Sequence, residues 1–185
     1  MRVEIIEDYE GQEPVFSFPP ANNYLDLREN PRSVERVAVA RQYLPLRNFL
    51  AVVNSAESPF ASASASAKCD SPAAVSSNNA YEFASQITLV FAESFLNFER
   101  ERYIDLSSSL KELLERDPGT AVRTALRISP CEFPAQNRRG FCLGIRLIAE
   151  GDTAQQAELR WGLGLARIQQ ALLFRARTLK QQTSL

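Results

Sequence analysis

The chain has 185 residues, of which 45% are hydrophobic and 23% charged, and its formal net charge is -1. A chain of this length and composition can bury a core without disulfides or structural metals, so we expect a single globular domain over residues 1–185. Because the chain contains no histidine, Ser-His and Cys-His catalytic pairs and Cys/His zinc sites are excluded.

The cysteines and the N-terminus both bear on the cellular compartment. Cys69, Cys131 and Cys142 form no Cys-x-x-Cys pair, which is typical of reduced thiols in a cytoplasmic protein. The first residues, MRVEIIEDYE, lack the basic and apolar regions of a secretory signal. No apolar run approaches the roughly 20 residues of a membrane span. We therefore expect a cytoplasmic protein with no membrane association, no metal site and no cofactor.

The N-terminal third combines strand and helix signals. Residues 2–7 and 14–18 alternate like short strands, and Asn30, followed by a proline, opens a predicted helix over residues 31–43. Residues 48–54, NFLAVVN, are short, apolar and partly β-branched. This composition predicts a buried strand at that place.

Residues 55–79 differ in composition from the rest, with eight serines and seven alanines. The favoured interpretation is a mobile loop that divides the chain, because such side chains offer little area to offset the entropy of ordering. In the alternative, Ser62, Ser64 and Ser66 alternate with alanines on a flat strand. Such a strand would be suited to pairing with another chain.

The second half of the chain carries the clearest patterns. Residues 80–92 alternate as a strand whose apolar face is broken only by Ser85. Helical spacing follows over 106–116, and a loop is expected from Pro130 onwards. We therefore expect an α+β fold with a mostly antiparallel sheet covered by helices. Its strands are predicted near 48–54, 80–92, 120–128 and 140–150, and its helices near 106–116 and 153–180.

The segment after the last strand fits either a helix or a hairpin. Thr153 and Gln156 have the spacing of a capping box, and apolar residues continue at helical spacing for over 20 residues. A hairpin would pair Ile145 with Trp161 but would place Arg146 opposite Arg160, two like charges. The abundance of helix-forming residues favours one long C-terminal helix over 153–180.

The Gly-Leu-Gly at residues 162–164 invites a comparison with nucleotide-binding loops. A third glycine is missing, and no acidic residue follows Glu158 to bind a ribose. We therefore interpret Gly164 as part of a small-residue stripe along which another element packs closely.

The shortage of catalytic groups favours a non-catalytic module for assembly or protein interaction. The predicted helix is apolar on two sides, which indicates burial on both, and we expect a homo-oligomer or a protein partner at this helix or at a sheet edge. The predicted interface residues are Trp161, Gly164, Leu165, Ile168 and Leu172. The second apolar stripe consists of Leu159, Leu163, Ala166, Leu173 and Phe174.

The alternative is a regulatory or sensor domain that binds a small anion or nucleic acid. Its contacts would be the C-terminal arginines Arg138, Arg139, Arg160 and Arg167. Nucleic acid is the less favoured partner, because the whole chain is slightly acidic and aromatic residues for base stacking are few near these arginines.

Overall fold

The structure of the chain is a computed structural model. It describes residues 1–8, 12–14, 16–20, 24–71, 81–116 and 122–183, without the side chains of 179–183. The strands are β1 (Arg2–Glu7), β2 (Phe16–Ser17), β3 (Phe60–Asp70), β4 (Tyr81–Phe91), β5 (Val122–Phe133) and β6 (Arg138–Gly151). The α-helices are α1 (Ala38–Gln42), α2 (Leu44–Val53), α3 (Arg100–Glu115) and α4 (Ala154–Thr183). Short 3-10 helices span Pro31–Arg36, Ser94–Phe98 and Pro134–Gln136.

All the strands belong to one sheet in the order β1-β5-β6-β4-β3, with β2 beside β5 beyond the end of β1. The β3–β4, β4–β6 and β5–β6 pairs are antiparallel, whereas β1 and β2 run parallel to β5. Helices α2, α3 and α4 pack against one face of this sheet. The predicted α+β fold, with a mostly antiparallel sheet and a long C-terminal helix, is confirmed.

The strand predicted at 48–54 is wrong, because this segment belongs to helix α2. Its buried residues are Leu46, Phe49, Leu50 and Val53, and their spacing places them on one side of a helix. Pro45 lies in the first helical turn, where a missing N–H removes no helical hydrogen bond.

The segment predicted as a helix over 31–43 is divided into a 3-10 helix and α1 by Val37, whose backbone is extended. The strand predicted at 14–18 is reduced to β2.

The loop predicted at 55–79 is wrong for residues 60–70, which form β3, while residues 72–80 lie outside the described residues. The strand alternative is therefore correct for this stretch, but the strand is not regular. A bulge between Ser62 and Ser64 places Ser62 on the opposite face of the sheet from Ser64 and Ser66. Serine and alanine side chains contribute little packing of their own, but β4 supplies a hydrogen-bonding partner along the whole strand.

The loop expected from Pro130 begins three residues later, since β5 continues to Phe133. The carbonyls of Ile128 and Glu132 accept hydrogen bonds from the N–H groups of Asp8 and Phe18 on the β1–β2 side of the strand. By alternation, the nitrogen of Pro130 faces the same side, in the gap between β1 and β2. No ladder hydrogen bond is lost there, so the proline is tolerated inside the strand.

The C-terminal helix is confirmed and the hairpin alternative is wrong, because residues 154–183 form one helix of 30 residues. Thr153 Oγ1 accepts a hydrogen bond from the Gln156 N–H at 3.1 Å, and Gln156 Oε1 accepts one from the Asp152 N–H at 2.7 Å. These bonds satisfy backbone donors that the first turn cannot pair internally.

Trp161 anchors α4 to the sheet. The indole is fully buried, its ring centroid lies 4.4 Å from that of Phe83, and its Nε1–H donates to Ser85 Oγ at 2.8 Å. Ser85 is the polar residue that breaks the apolar face of β4. Its hydroxyl therefore satisfies an indole N–H that would otherwise lack a partner in the core.

Gly164 lies at a close approach of α4 to the sheet. A Cβ atom at this position would lie 3.1 Å from Val122 Cγ1 and 3.4 Å from two methyl groups of Leu147. The expected close approach at the small-residue stripe is therefore found within the chain's own core.

We predict that Gly164→Leu destabilises the fold by about 1–3 kcal/mol, because the added side chain has no space between α4 and the sheet. Ala154→Leu, which adds the same side chain at an exposed position of the first helical turn, should change stability by less than about 0.5 kcal/mol. Urea unfolding of both variants measures this, and equal stabilities would contradict the packing described here.

We predict that Ser85→Ala lowers the free energy of unfolding by about 1–3 kcal/mol, although it replaces a polar core residue with an apolar one. The loss arises because the Trp161 N–H remains buried without an acceptor. Ser66→Ala, on an exposed position of the neighbouring strand, is the control and should be neutral. Thermal unfolding followed by tryptophan fluorescence tests the pair, and a neutral Ser85→Ala would refute this role.

Candidate functional site

Helix α4 has one buried and one exposed apolar face. Its inner face packs in the core, whereas Leu159, Leu163 and Phe174 on the outer face are 64%, 54% and 58% exposed. Ala166 is also exposed, and Leu173 is half-buried. The second apolar stripe predicted from the sequence is therefore a face of α4 that the described residues leave largely uncovered.

The five predicted interface residues lie on the other side of the helix. Gly164 and four fully or almost fully buried side chains face the chain's own core; the four are Trp161, Leu165, Ile168 and Leu172. Because these residues are consumed by packing within the molecule, a second molecule that docks on α4 meets the outer face instead.

A shallow groove extends the outer face of α4 towards α2. It has a volume of about 460 Å³ and is lined by Pro45, Gln155, Glu158, Leu159, Gly162 and Leu163. Leu44, at the start of α2, is a further exposed leucine. Contiguous apolar surface of this kind marks sites of protein contact more often than isolated surface leucines do.

The face of the sheet opposite the helices is covered over only part of its area. A second apolar cluster of Ala61, Val90, Cys131, Phe133 and Cys142, with Phe16, Phe18 and Phe98 packed against it, covers one end. At the other end lies an open groove of about 470 Å³. The sheet therefore has one face packed against the helices and a second face that is half open.

Three arginines surround this groove. Arg146 of β6 is paired in register with Ala125 of β5, and Arg123 and Arg127 lie two residues on either side of Ala125. Ala125 and Gly144 form the small-residue floor, and a Cβ atom at Gly144 would lie 2.9 Å from Gln86 Nε2. We name these side chains and the floor between them the arginine groove.

The four arginines predicted to bind an anion do not form one site. Arg138 stacks at 4.0 Å on the ring of Phe98, and Arg139 forms an ion pair with Glu13 at 2.9 Å, both at the start of β6. Arg160 donates to the Glu150 carbonyl at 2.7 Å near the end of that strand. Twelve residues of extended strand span about 40 Å. Arg167 lines a different groove between α3 and α4.

Sequence reasoning missed the arginine groove because its parts lie far apart in the chain. The strict alternation over 120–128 does place Arg123 and Arg127 on one face of a strand. Arg146 joins them only because β5 pairs with β6. The same register brings Ala125 and Gly144 together as the floor. The alternation of residues within β5 can be seen in the sequence, but the pairing of β5 with β6 cannot.

The outer edge of β3 is protected over its first residues by two side chains. Asn54 Oδ1 accepts the Ser62 N–H at 2.9 Å, and Asn54 Nδ2 donates to Ser62 Oγ at 2.8 Å. Arg28 Nη1 donates to the carbonyls of Ser55, Ser58 and Phe60 at 2.8–3.0 Å. Within the described part of the chain, no strand pairs with the outer side of residues 64–70. We name that stretch the open edge.

Two of the three cysteines have thiols with raised pKa values. A hydrogen bond with the Cys142 thiol, together with burial, raises the pKa of Cys131, and partial burial raises the pKa of Cys69. A raised pKa keeps a thiol protonated at neutral pH and lowers its reactivity as a nucleophile. In the described ranges, no three His, Cys, Asp or Glu side chains come close enough to hold a metal ion.

Comparison with known proteins supplies no assignment. No protein family, no curated protein and no solved structure matches this chain. Among the described residues, no helix is both long enough and apolar enough to span a membrane. The candidate surfaces are therefore the outer face of α4, the arginine groove and the open edge.

We predict that Asn54→Ala destabilises the fold by about 1–3 kcal/mol, because the buried Ser62 N–H loses its acceptor. Asn48→Ala, at an exposed position of α2, should be nearly neutral and serves as the control. Asn54 itself follows the last residue of α2. Amide hydrogen exchange should show faster exchange at Ser62 in the Asn54 variant alone. Unchanged protection of Ser62 would contradict this role for Asn54.

Proposed function

We propose that this chain is a non-catalytic assembly module that self-associates through the outer face of α4. The observation that supports this most directly is the exposure of Leu159, Leu163 and Phe174 on α4. The inner face of the same helix is already buried in the core. Exposed leucine and phenylalanine side chains at helical spacing gain free energy when a second apolar surface covers them.

The spacing of the stripe matches that of a helix–helix contact. Leu159, Leu163, Ala166, Gln170 and Leu173 follow one another at alternating intervals of four and three residues. This is the repeat by which two helices pack side by side. The groove beside Pro45 widens the apolar surface beyond the helix itself.

The charges favour a second copy that runs antiparallel. Asp152 and Glu158 lie near the start of α4, whereas Arg175 and Arg177 lie near its end. An antiparallel two-fold contact centred on Ala166 brings the acidic start of one helix to the level of the basic end of the other. It also opposes the two helix dipoles. Leu159 of each copy then lies at the level of Leu173 and Phe174 of the other.

The open edge is the weaker candidate for the same contact. Its side chains are mainly serine and alanine, so a strand that paired there would gain backbone hydrogen bonds but little apolar burial. Lys68 also lies on this stretch, and lysine is a common means of discouraging edge-to-edge pairing.

We predict that the chain is a dimer at tens of micromolar and that Leu163→Glu shifts it to monomer. A buried carboxylate at each of two symmetry-related positions should weaken association by at least about a hundredfold. Sedimentation velocity over a concentration series measures this, and circular dichroism checks that the variant is folded.

The matched control is Phe95→Glu, because Phe95 is 59% exposed but lies outside α4. This variant should dimerise like the unmodified chain. A chain that stays monomeric throughout the series would overturn the proposal. A dimer that tolerates Leu163→Glu would also overturn it, and would direct attention to the open edge.

A further inference from the structure

The arginine groove lies on the face of the sheet opposite α4. A ligand bound there would not contact the surface proposed for self-association. Arg123 and Arg127 are four residues apart on β5, about 13 Å between Cα atoms. Arg146 lies between them on the neighbouring strand. Three guanidinium groups thus point from one sheet face around a floor of Ala125 and Gly144.

The ion pairs of these arginines are unequal. Arg123 is bound at one end of the groove by Glu150 at 2.7 Å and by Glu82 at 3.5 Å. Arg127 has only a long contact of 3.7 Å with Asp8 at the other end. Among the described residues, the Arg146 side chain forms no hydrogen bond or ion pair. The least compensated positive charges are therefore Arg146, in the middle of the groove, and Arg127, towards the end formed by Asp8.

A second donor points to the same place. The Gln86 carboxamide nitrogen lies directly above Gly144, so close that a Cβ atom there would come within 2.9 Å of it. Guanidinium and amide N–H groups above a bare floor match the oxygens of a phosphate, which is dianionic near neutral pH. The absence of a side chain at Gly144 allows the Gln86 carboxamide to lie low over the floor, beside the arginines.

The border of the groove argues against a polyanion. Glu82 and Glu150 lie at one end, Asp8 lies at the other, and Glu4 lines the side formed by β1. An extended nucleic acid would have to pass these carboxylates, which repel its backbone. The apolar side chains in the lining are Ile6 and Ile148 rather than aromatic platforms for bases.

We propose that the arginine groove binds a small phosphorylated molecule, with the phosphate held by Arg146, Arg127 and the Gln86 amide. Its volume of about 470 Å³ is in the range of sites for small metabolites. Glu4, at the side of the groove, can accept a hydrogen bond from a hydroxyl of the same ligand. Arg123 is already neutralised and serves as the end wall.

Titration of the full chain with inorganic phosphate and with glucose 6-phosphate, followed by amide NMR shifts, tests this proposal. Glucose is the unphosphorylated control. We expect shifts that saturate in residues 123–127 and 144–148 with both phosphate compounds and none with glucose. Arg146→Gln should weaken binding by about tenfold, since one charged hydrogen-bonding group is lost.

Arg41→Gln is the matched control, because it removes an exposed arginine from α1 and should leave binding unchanged. The proposal is overturned if neither phosphate compound shifts these residues, or if the two variants bind equally. It is also overturned if a single-stranded oligonucleotide shifts the same residues at lower concentration than phosphate, since that result would assign the groove to nucleic acid. Peak dispersion in each spectrum shows that the variant is folded.

Discussion

The whole arrangement depends on the burial of Trp161 where α4 crosses the sheet. Its ring lies against Phe83 of β4 and reaches Tyr43, at a centroid distance of 5.9 Å, at the junction of α1 and α2. One side chain therefore connects the sheet, the α1–α2 junction and the C-terminal helix. Since the indole carries an N–H into the core, its position is also fixed by the hydrogen bond that this group donates to the Ser85 hydroxyl.

This contact decides which surfaces remain for other molecules. With Trp161, Leu165 and Ile168 turned inwards, Leu159, Leu163 and Phe174 must face outwards, because they lie on the opposite side of the same helix. On the far side of the sheet, the cluster around Phe133 and Cys142 covers one end and leaves the arginine groove open. The two proposed sites thus lie on opposite faces of the sheet.

The parts of the fold that could be predicted from the sequence are those with long periodic patterns. Strands β4 and β6 have enough residues for their period to be clear, and in α4 the length of the helical spacing outweighed the hairpin alternative. Residues 48–54 were misassigned because a short apolar run is compatible with either structure, and the helix is evident only when Leu46 is included. Strand β3 was only the alternative to a loop, because alanine and serine side chains offer little area for packing, and its order comes from pairing with β4.

The candidate sites follow the same division. The sequence alone determined that α4 has two apolar faces, that histidine-dependent chemistry is excluded, and that Arg123 and Arg127 share a strand face. Only the tertiary structure decided which face of α4 is consumed by the core and which three arginines meet. The physical reason is that periodicity is a property of one segment, whereas burial and charge convergence depend on the register between segments distant in the chain.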